Sequence, residues 1–216
     1  MDILQMLGQL GSGMLVSIEI FVLTLLFSLP LGLLISFGRM SRFRWIAAVT
    51  KVYISIMRGT PLMLQLMVVY FGPYYLLKVP IGNTYRFIAV IVGFVLNYAA
   101  YFAEIYRSGI ESISPGQREA AQLLGFTRGQ TFFKIILPQV VKRILPPVTN
   151  EIITLVKDTS LAFVIGSVEM FTVAKQIAAR ESNLYAFVAA GLFYYIFNLL
   201  VAFVMERIEK KLSYYK

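Results

Sequence analysis

Residues 118–138 read REAAQLLGFTRGQTFFKIILP, a polar run set inside an otherwise apolar chain. Just before it, Ser114-Pro115-Gly116 is a turn signal, and Pro115 suits the first position of a helix. Glu119, Ala120, Ala121, Leu123 and Leu124 predict a short helix, and Gly125 suits the left-handed residue beyond its end. Thr127 and Gln130 have the spacing of a capping box, so a second helix opens there. Phe132, Phe133, Ile135, Ile136 and Leu137 give that helix an apolar face. Pro138 and the Pro146-Pro147 pair predict kinks or breaks. By composition alone the region is either a helix lying at a membrane interface or an element offered to a soluble partner.

The surroundings decide what kind of protein carries this loop. The chain has 216 residues, of which 58% are hydrophobic and 14% charged, with a mean hydropathy of +0.74. A soluble domain carries about 25% charge, so the deficit predicts an all-α integral membrane protein. Cysteine and histidine are absent, which excludes a disulfide framework, a Cys/His metal site and histidine acid–base catalysis. No catalytic residue and no metal ligand is predicted. The first residues, MDILQMLGQLGSGM, lack a basic n-region, so no cleavable signal peptide is expected.

A spanning helix needs about 20 mainly apolar residues. Five segments qualify: residues 14–37, 62–77 with a helical lead-in at 47–57, 85–106, 148–171 and 185–208. No linker separates domains, so residues 1–216 read as one transmembrane domain. Basic residues follow the first, third and fifth spans: Arg39, Arg42, Arg44, Lys51 and Arg58; Arg107, Arg118, Arg128, Lys134, Lys142 and Arg143; Arg207, Lys210, Lys211 and Lys216. The opposite side holds only Lys78, Arg86, Lys175 and Arg180, and Lys157 falls within a span. The positive-inside rule therefore predicts an outside N-terminus, a cytoplasmic C-terminus and a cytoplasmic loop at about 107–147. The net charge of +9 then reflects topology and anionic lipid of the bilayer rather than nucleic acid, for which there is no basic soluble domain.

The loop resembles the EAA loop of permease subunits of ATP-binding-cassette importers. That pattern is EAA, three residues, Gly, nine residues, Ile, one residue, Leu-Pro, and Glu119, Ala120, Ala121, Gly125, Ile135, Leu137 and Pro138 match it throughout. Arg58-Gly59-Thr60-Pro61, Lys157-Asp158-Thr159-Ser160-Leu161 and the stretch Asn97, Ala99, Ala100, Tyr101, Ala103, Glu104 resemble stretches of the polar amino acid permeases, in the histidine, glutamine, arginine and cystine branch. The resemblance implies a type I importer fold in a bacterial cell membrane. It also implies a second permease subunit, an extracellular or periplasmic amino acid-binding protein, and a separate ATPase that uses ATP and Mg. Gln117, Glu119, Ala120, Ala121, Leu124 and Gly125 would be the ATPase-coupling residues. No Gly in the chain is followed by Lys, so it carries no phosphate-binding loop and no cofactor of its own is expected.

Polar groups at membrane depth need partners or a wet cavity. Counting from the span ends puts Asn97, the Asp158-Thr159-Ser160 run and Asn198 at one depth near the middle. Midplane clusters of this kind are where transporters hold substrate, although a lone Asn more simply bonds a neighbouring helix. Asp158 is the candidate contact for a substrate amino group, with Thr159 and Ser160 beside it. Lys157 needs a counter-ion from another helix or from substrate. Tyr70 and Tyr101 are candidates for the same pathway, whereas Tyr74 reads equally as interfacial belt and Gln65 is ambiguous. Glu104 and Glu151 share a depth about 10 Å nearer the cytoplasm and predict a gate or network with Arg107 or Lys157, Glu104 pairing with Arg107 three residues on. Thr60 and Pro61 are expected as N-cap and first residue of the second span. A stand-alone secondary transporter is the alternative function, but it would need internal repeats and leaves the loop without a purpose. An intramembrane enzyme lacks any recognisable motif.

Overall fold

The computed structural model describes residues 2–212, so Lys216, counted above among the basic residues, lies outside it. Among the described residues the chain is helical throughout, with no strand. The helices are α1 (Ile3–Arg39), α2 (Arg44–Gly59), α3 (Leu62–Leu77), α4 (Asn83–Glu111), α5 (Pro115–Leu123), α6 (Arg128–Thr131), α7 (Leu137–Asp158), α8 (Met170–Glu181) and α9 (Tyr185–Leu212). A π-helical turn, Phe132–Ile136, joins α6 to α7, and a 3-10 segment, Thr159–Ile165, follows α7.

Among the described residues three helices are long and apolar enough to cross a membrane, or up to five if each of two bent pairs is one span. α2 and α3 meet at 111°, and the 128–165 helix meets α8 at 59°. The fold class is therefore all-α and membrane-spanning, as the sequence predicts. The fourth expected span, 148–171, is not one rod. Helical geometry gives way after Asp158, Gly166 takes φ +73°, and a new helix opens at Met170. Pro138 and Pro146-Pro147 do not break the helix. Pro138 has no N–H to donate, and the ladder has already shifted to a π turn immediately upstream, where such a defect is absorbed.

Close packing of α1 on α4 organises the molecule. Gly13, Ser17, Thr24, Ser28, Gly32 and Ser36 form a buried stripe of small residues on α1. A Cβ on Gly32 would lie 2.8 Å from Phe102 Cβ and 3.0 Å from the Ala99 carbonyl oxygen, so only glycine admits this approach. Small residues are how membrane helices gain contact without a hydrophobic driving force between them. Phe94, Tyr98 and Phe102 recur at four-residue spacing on α4 and are buried against Ile20, Leu66, Leu155 and Val156. The outer faces of α1, α3 and α9 carry exposed Leu, Val and Phe, as lipid contact requires.

The turn between α2 and α3 differs from expectation. Thr60 closes α2 rather than opening α3, and Pro61 occupies the cap position before Leu62. The Thr60 hydroxyl donates to the Ile56 carbonyl at 2.8 Å and accepts from Gln65 Nε2 at 2.8 Å. Gln65 is thereby the residue that secures the break.

Candidate functional site

The polar groups expected at one depth separate into different surroundings. Asp158, at the end of α7, accepts a 2.7 Å hydrogen bond from the Tyr98 hydroxyl of α4. Tyr98 contacts the Tyr101 ring at 6.3 Å, and the Arg58 guanidinium stands 5.3 Å over Tyr101. Glu151, about two turns before Asp158 on α7, is half-buried and forms no ion pair with Arg107 or Lys157 among the described residues. Asp158, Tyr98, Tyr101 and Arg58 thus form one constellation between α2, α4 and α7. Neither Asp158 nor Glu151 has an ion-pair partner within salt-bridge distance among the described residues.

Asn97 does not join that constellation. Its Nδ2 donates to Gln65 Oε1 at 2.9 Å and to the Met57 carbonyl at 3.1 Å, tying α4 to the α2–α3 break. One residue of helix rotation separates Asn97 from Tyr98, and Tyr98 is the one facing Asp158. Thr159 is buried and donates to the Val156 carbonyl at 2.9 Å, and Ser160 donates to the Lys157 carbonyl at 2.8 Å, so both hydroxyls serve the local turn. Lys157 is exposed and forms no ion pair among the described residues. Asn198 has its Oδ1 buried with no hydrogen-bond partner. Tyr70 is buried against Tyr85 and accepts from Arg86 Nε at 3.4 Å, while Arg86 also reaches the Gly166 carbonyl at 3.2 Å. Glu104 pairs with Arg107, as its spacing predicts, and Arg107 also engages Glu111.

Glu169 was not singled out from the sequence and is among the most constrained residues. It is fully buried (0% exposed) and caps α8, accepting from the N–H groups of Phe171 and Thr172, each at 2.7 Å. The hydroxyls of Thr172 and Tyr194 complete its shell at 2.8 and 3.2 Å. Ser17 of α1 accepts the next N–H, that of Met170, at 3.3 Å. A buried carboxylate persists only when its lone pairs are filled, and a helix N-terminus is the site that fills them best. A glutamate three residues before Thr172, at the head of a new amphipathic helix, is the signal that would have found it.

The local signals of residues 115–130 are built as predicted, whereas Phe133, expected on the apolar face, is exposed within the π turn. Pro115 opens α5. Gly125 has φ +79°, its N–H reaches the Gln122 carbonyl at 3.0 Å, and the Phe126 N–H reaches the Ala121 carbonyl at 3.0 Å. Those two bonds make a Schellman end, which a β-carbon at Gly125 would strain. Thr127 and Gln130 form both halves of the capping box. Ala121 is 2% exposed and faces inward, where a larger side chain would not fit. On the same inner side Gln117 Oε1 accepts from Gln139 Nε2 at 3.3 Å, linking α5 to α7, and Arg143 bonds the Ser112 carbonyl. Glu119, Ala120 and Leu124 point outward. Leu123 is 89% and Leu124 76% exposed, an uncovered apolar pair at the tip of a polar helix.

Comparison with known proteins places this architecture. Residues 28–214 match the family model described as binding-protein-dependent transport system inner membrane component. The arginine transport system permease protein ArtQ of Bacillus subtilis is 40% identical over 202 residues, which is 93% of this chain and 91% of that one. The L-cystine transport system permease protein TcyB of the same organism is 36% identical over 208 residues, covering 95% and 87%. Among solved structures, an amino acid ABC transporter crystallised with histidines superposes with a TM-score of 0.87 at 30% identity, over 98% of this chain and 99% of that one. The MetNI methionine transporter, at 19% identity and TM-score 0.70, shares the fold. The chain is an integral membrane protein that belongs to the family of inner membrane components of binding-protein-dependent transport systems.

Proposed function

We propose that the chain is the membrane-spanning permease subunit of an ATP-driven importer of polar amino acids. The N-terminus faces outward and the C-terminus and the 107–147 loop face the cytoplasm, in keeping with the lysine and arginine bias. A separate ATPase, using ATP and Mg, docks on α5, and a second permease subunit completes the membrane pair. An amino acid-binding protein delivers substrate from outside. The observation that carries the reading is α5 itself. It is a tightly capped, polar helix with two exposed leucines, bonded through Gln117 and Gln139 to the helix that ends at Asp158. Motion of α5 is transmitted from Gln139 along about 28 Å of α7 to the Asp158–Tyr98 pair.

In this mechanism Asp158 receives the substrate ammonium group and Tyr98 holds its carboxylate in place. Rocking of α7 against α4 opens and closes that contact. The arginine and cystine permeases among the relatives support an amino acid as cargo. The test is reconstitution of the chain in vesicles with its ATPase and binding protein, followed by uptake of labelled amino acids. Uptake that requires all components, with ATP enclosed in the vesicle lumen on the ATPase side, supports the reading. Uptake by this chain alone, driven by an ion gradient, would replace it with the secondary-transporter reading.

A further inference from the structure

Beside α5 lies a pocket of about 460 Å³ lined by Arg118, Gln122, Arg128, Thr131, Phe132 and Ile136. Arg118 and Gln122 lie four apart on one face of α5, and the other four come from the helix that starts at Arg128. Both arginines are exposed, and neither has an acidic partner among the described residues. The pocket therefore brings two unpaired guanidinium groups to an empty space also lined by Phe132 and the buried Ile136.

Resting on the docking reading above, we infer that this pocket receives an acidic side chain of the ATPase subunit, held by Arg118 and Arg128 together. Bidentate guanidinium–carboxylate contact is the strongest ion pair available to a protein interface. The neighbouring surface favours a protein over an anionic bilayer. The exposed Glu119 sits next to Arg118, and Leu123 and Leu124 stand uncovered one turn further on. An apolar centre rimmed by both signs of charge is the anatomy of a protein interface. The pocket is larger than a single carboxylate, so the acidic residue enters on a projecting turn of the partner.

The chain has no cysteine, but its arginines can be exchanged for amines. The assembled complex carrying Arg118→Lys or Arg128→Lys is treated with a zero-length carbodiimide, which joins an amine to a carboxylate, and the products are mapped by mass spectrometry. The expected result is a new cross-link, absent from wild type, to one aspartate or glutamate of the ATPase. In parallel, Arg118→Glu with Arg128→Glu lowers ATPase affinity for the chain in nanodiscs more than tenfold. That loss is the same with or without phosphatidylglycerol, and is restored when the cross-linked acid is changed to Lys. Unchanged ATPase affinity in the double variant, or a defect that depends on anionic lipid alone, would overturn the assignment while leaving docking on α5 standing. Failure of the wild-type chain to bind the ATPase at all would instead remove the docking reading itself.

Discussion

The Tyr98 hydroxyl of α4 donates to Asp158 at the end of α7, at 2.7 Å, where α-helix gives way to a 3-10 segment. The pair joins the helix most deeply embedded in the core to the helix that reaches the 107–147 loop. Asp158→Asn keeps the shape and the Tyr98 contact but removes the charge. Uptake in reconstituted vesicles should fall at least tenfold, while the complex still elutes intact on size exclusion. Tyr98→Phe deletes a hydrogen bond to a charged group, worth about 1.5–3 kcal/mol, and should weaken apparent substrate affinity without blocking assembly.

Gly125 is the next point of leverage. Its φ of +79° costs a residue with a branched β-carbon about 1–2 kcal/mol, and loss of the Schellman bonds loosens the end of α5. Gly125→Val should lower ATPase binding in a titration, whereas Gly125→Asn, which tolerates the left-handed region, should retain it. Equal binding by both would show that the turn does not set the docking geometry.

Glu169 makes a prediction about stability. Glu169→Ala removes the α8 cap and leaves the hydroxyl of Tyr194 without its acceptor, a loss of about 2 kcal/mol. Thermal unfolding in detergent should show a lower Tm for Glu169→Ala and an intermediate one for Glu169→Gln, which keeps one acceptor oxygen.

The Asn97–Gln65 bond predicts coupling across the α2–α3 break. In a double-mutant cycle with Asn97→Leu and Gln65→Leu, the interaction free energy should be about 0.6 kcal/mol and no more than about 1.7 kcal/mol, the range for hydrogen bonds between membrane helices. Additive losses would mean the two side chains act independently.

Much of this was legible in the residues because local rules governed it. The Schellman glycine, the Thr127–Gln130 capping box, Pro115 at a helix start and the Glu104–Arg107 pair each depend on neighbours within four positions. What was not legible depends on rotation and tertiary approach. Depth counting placed Asn97 with Asp158, but depth fixes only one coordinate, and a 100° turn of helix brings Tyr98 there instead. The α-helix ends at Asp158 without a Gly or Pro at that point, and the left-handed Gly166 closes the 3-10 segment that follows. This ending comes with hydroxyls of Thr159 and Ser160 bonding backbone three residues back, and with a buried Glu169 that nucleates the next helix. Apolar composition predicted five crossings but not that two of them are bent, because bending leaves total hydropathy unchanged.

The most direct test of the account is ATP hydrolysis by the complex of this chain, its ATPase and its binding protein in vesicles, measured with and without amino acid, for wild type and Glu119→Lys. Glu119 is exposed on α5 and makes no hydrogen bond or ion pair among the described residues, so its reversal leaves the fold intact. The account predicts several-fold stimulation by amino acid in wild type and none in Glu119→Lys, with uptake lost in parallel. Full stimulation and uptake in Glu119→Lys would contradict the claim that α5 is where ATP hydrolysis meets the transport path.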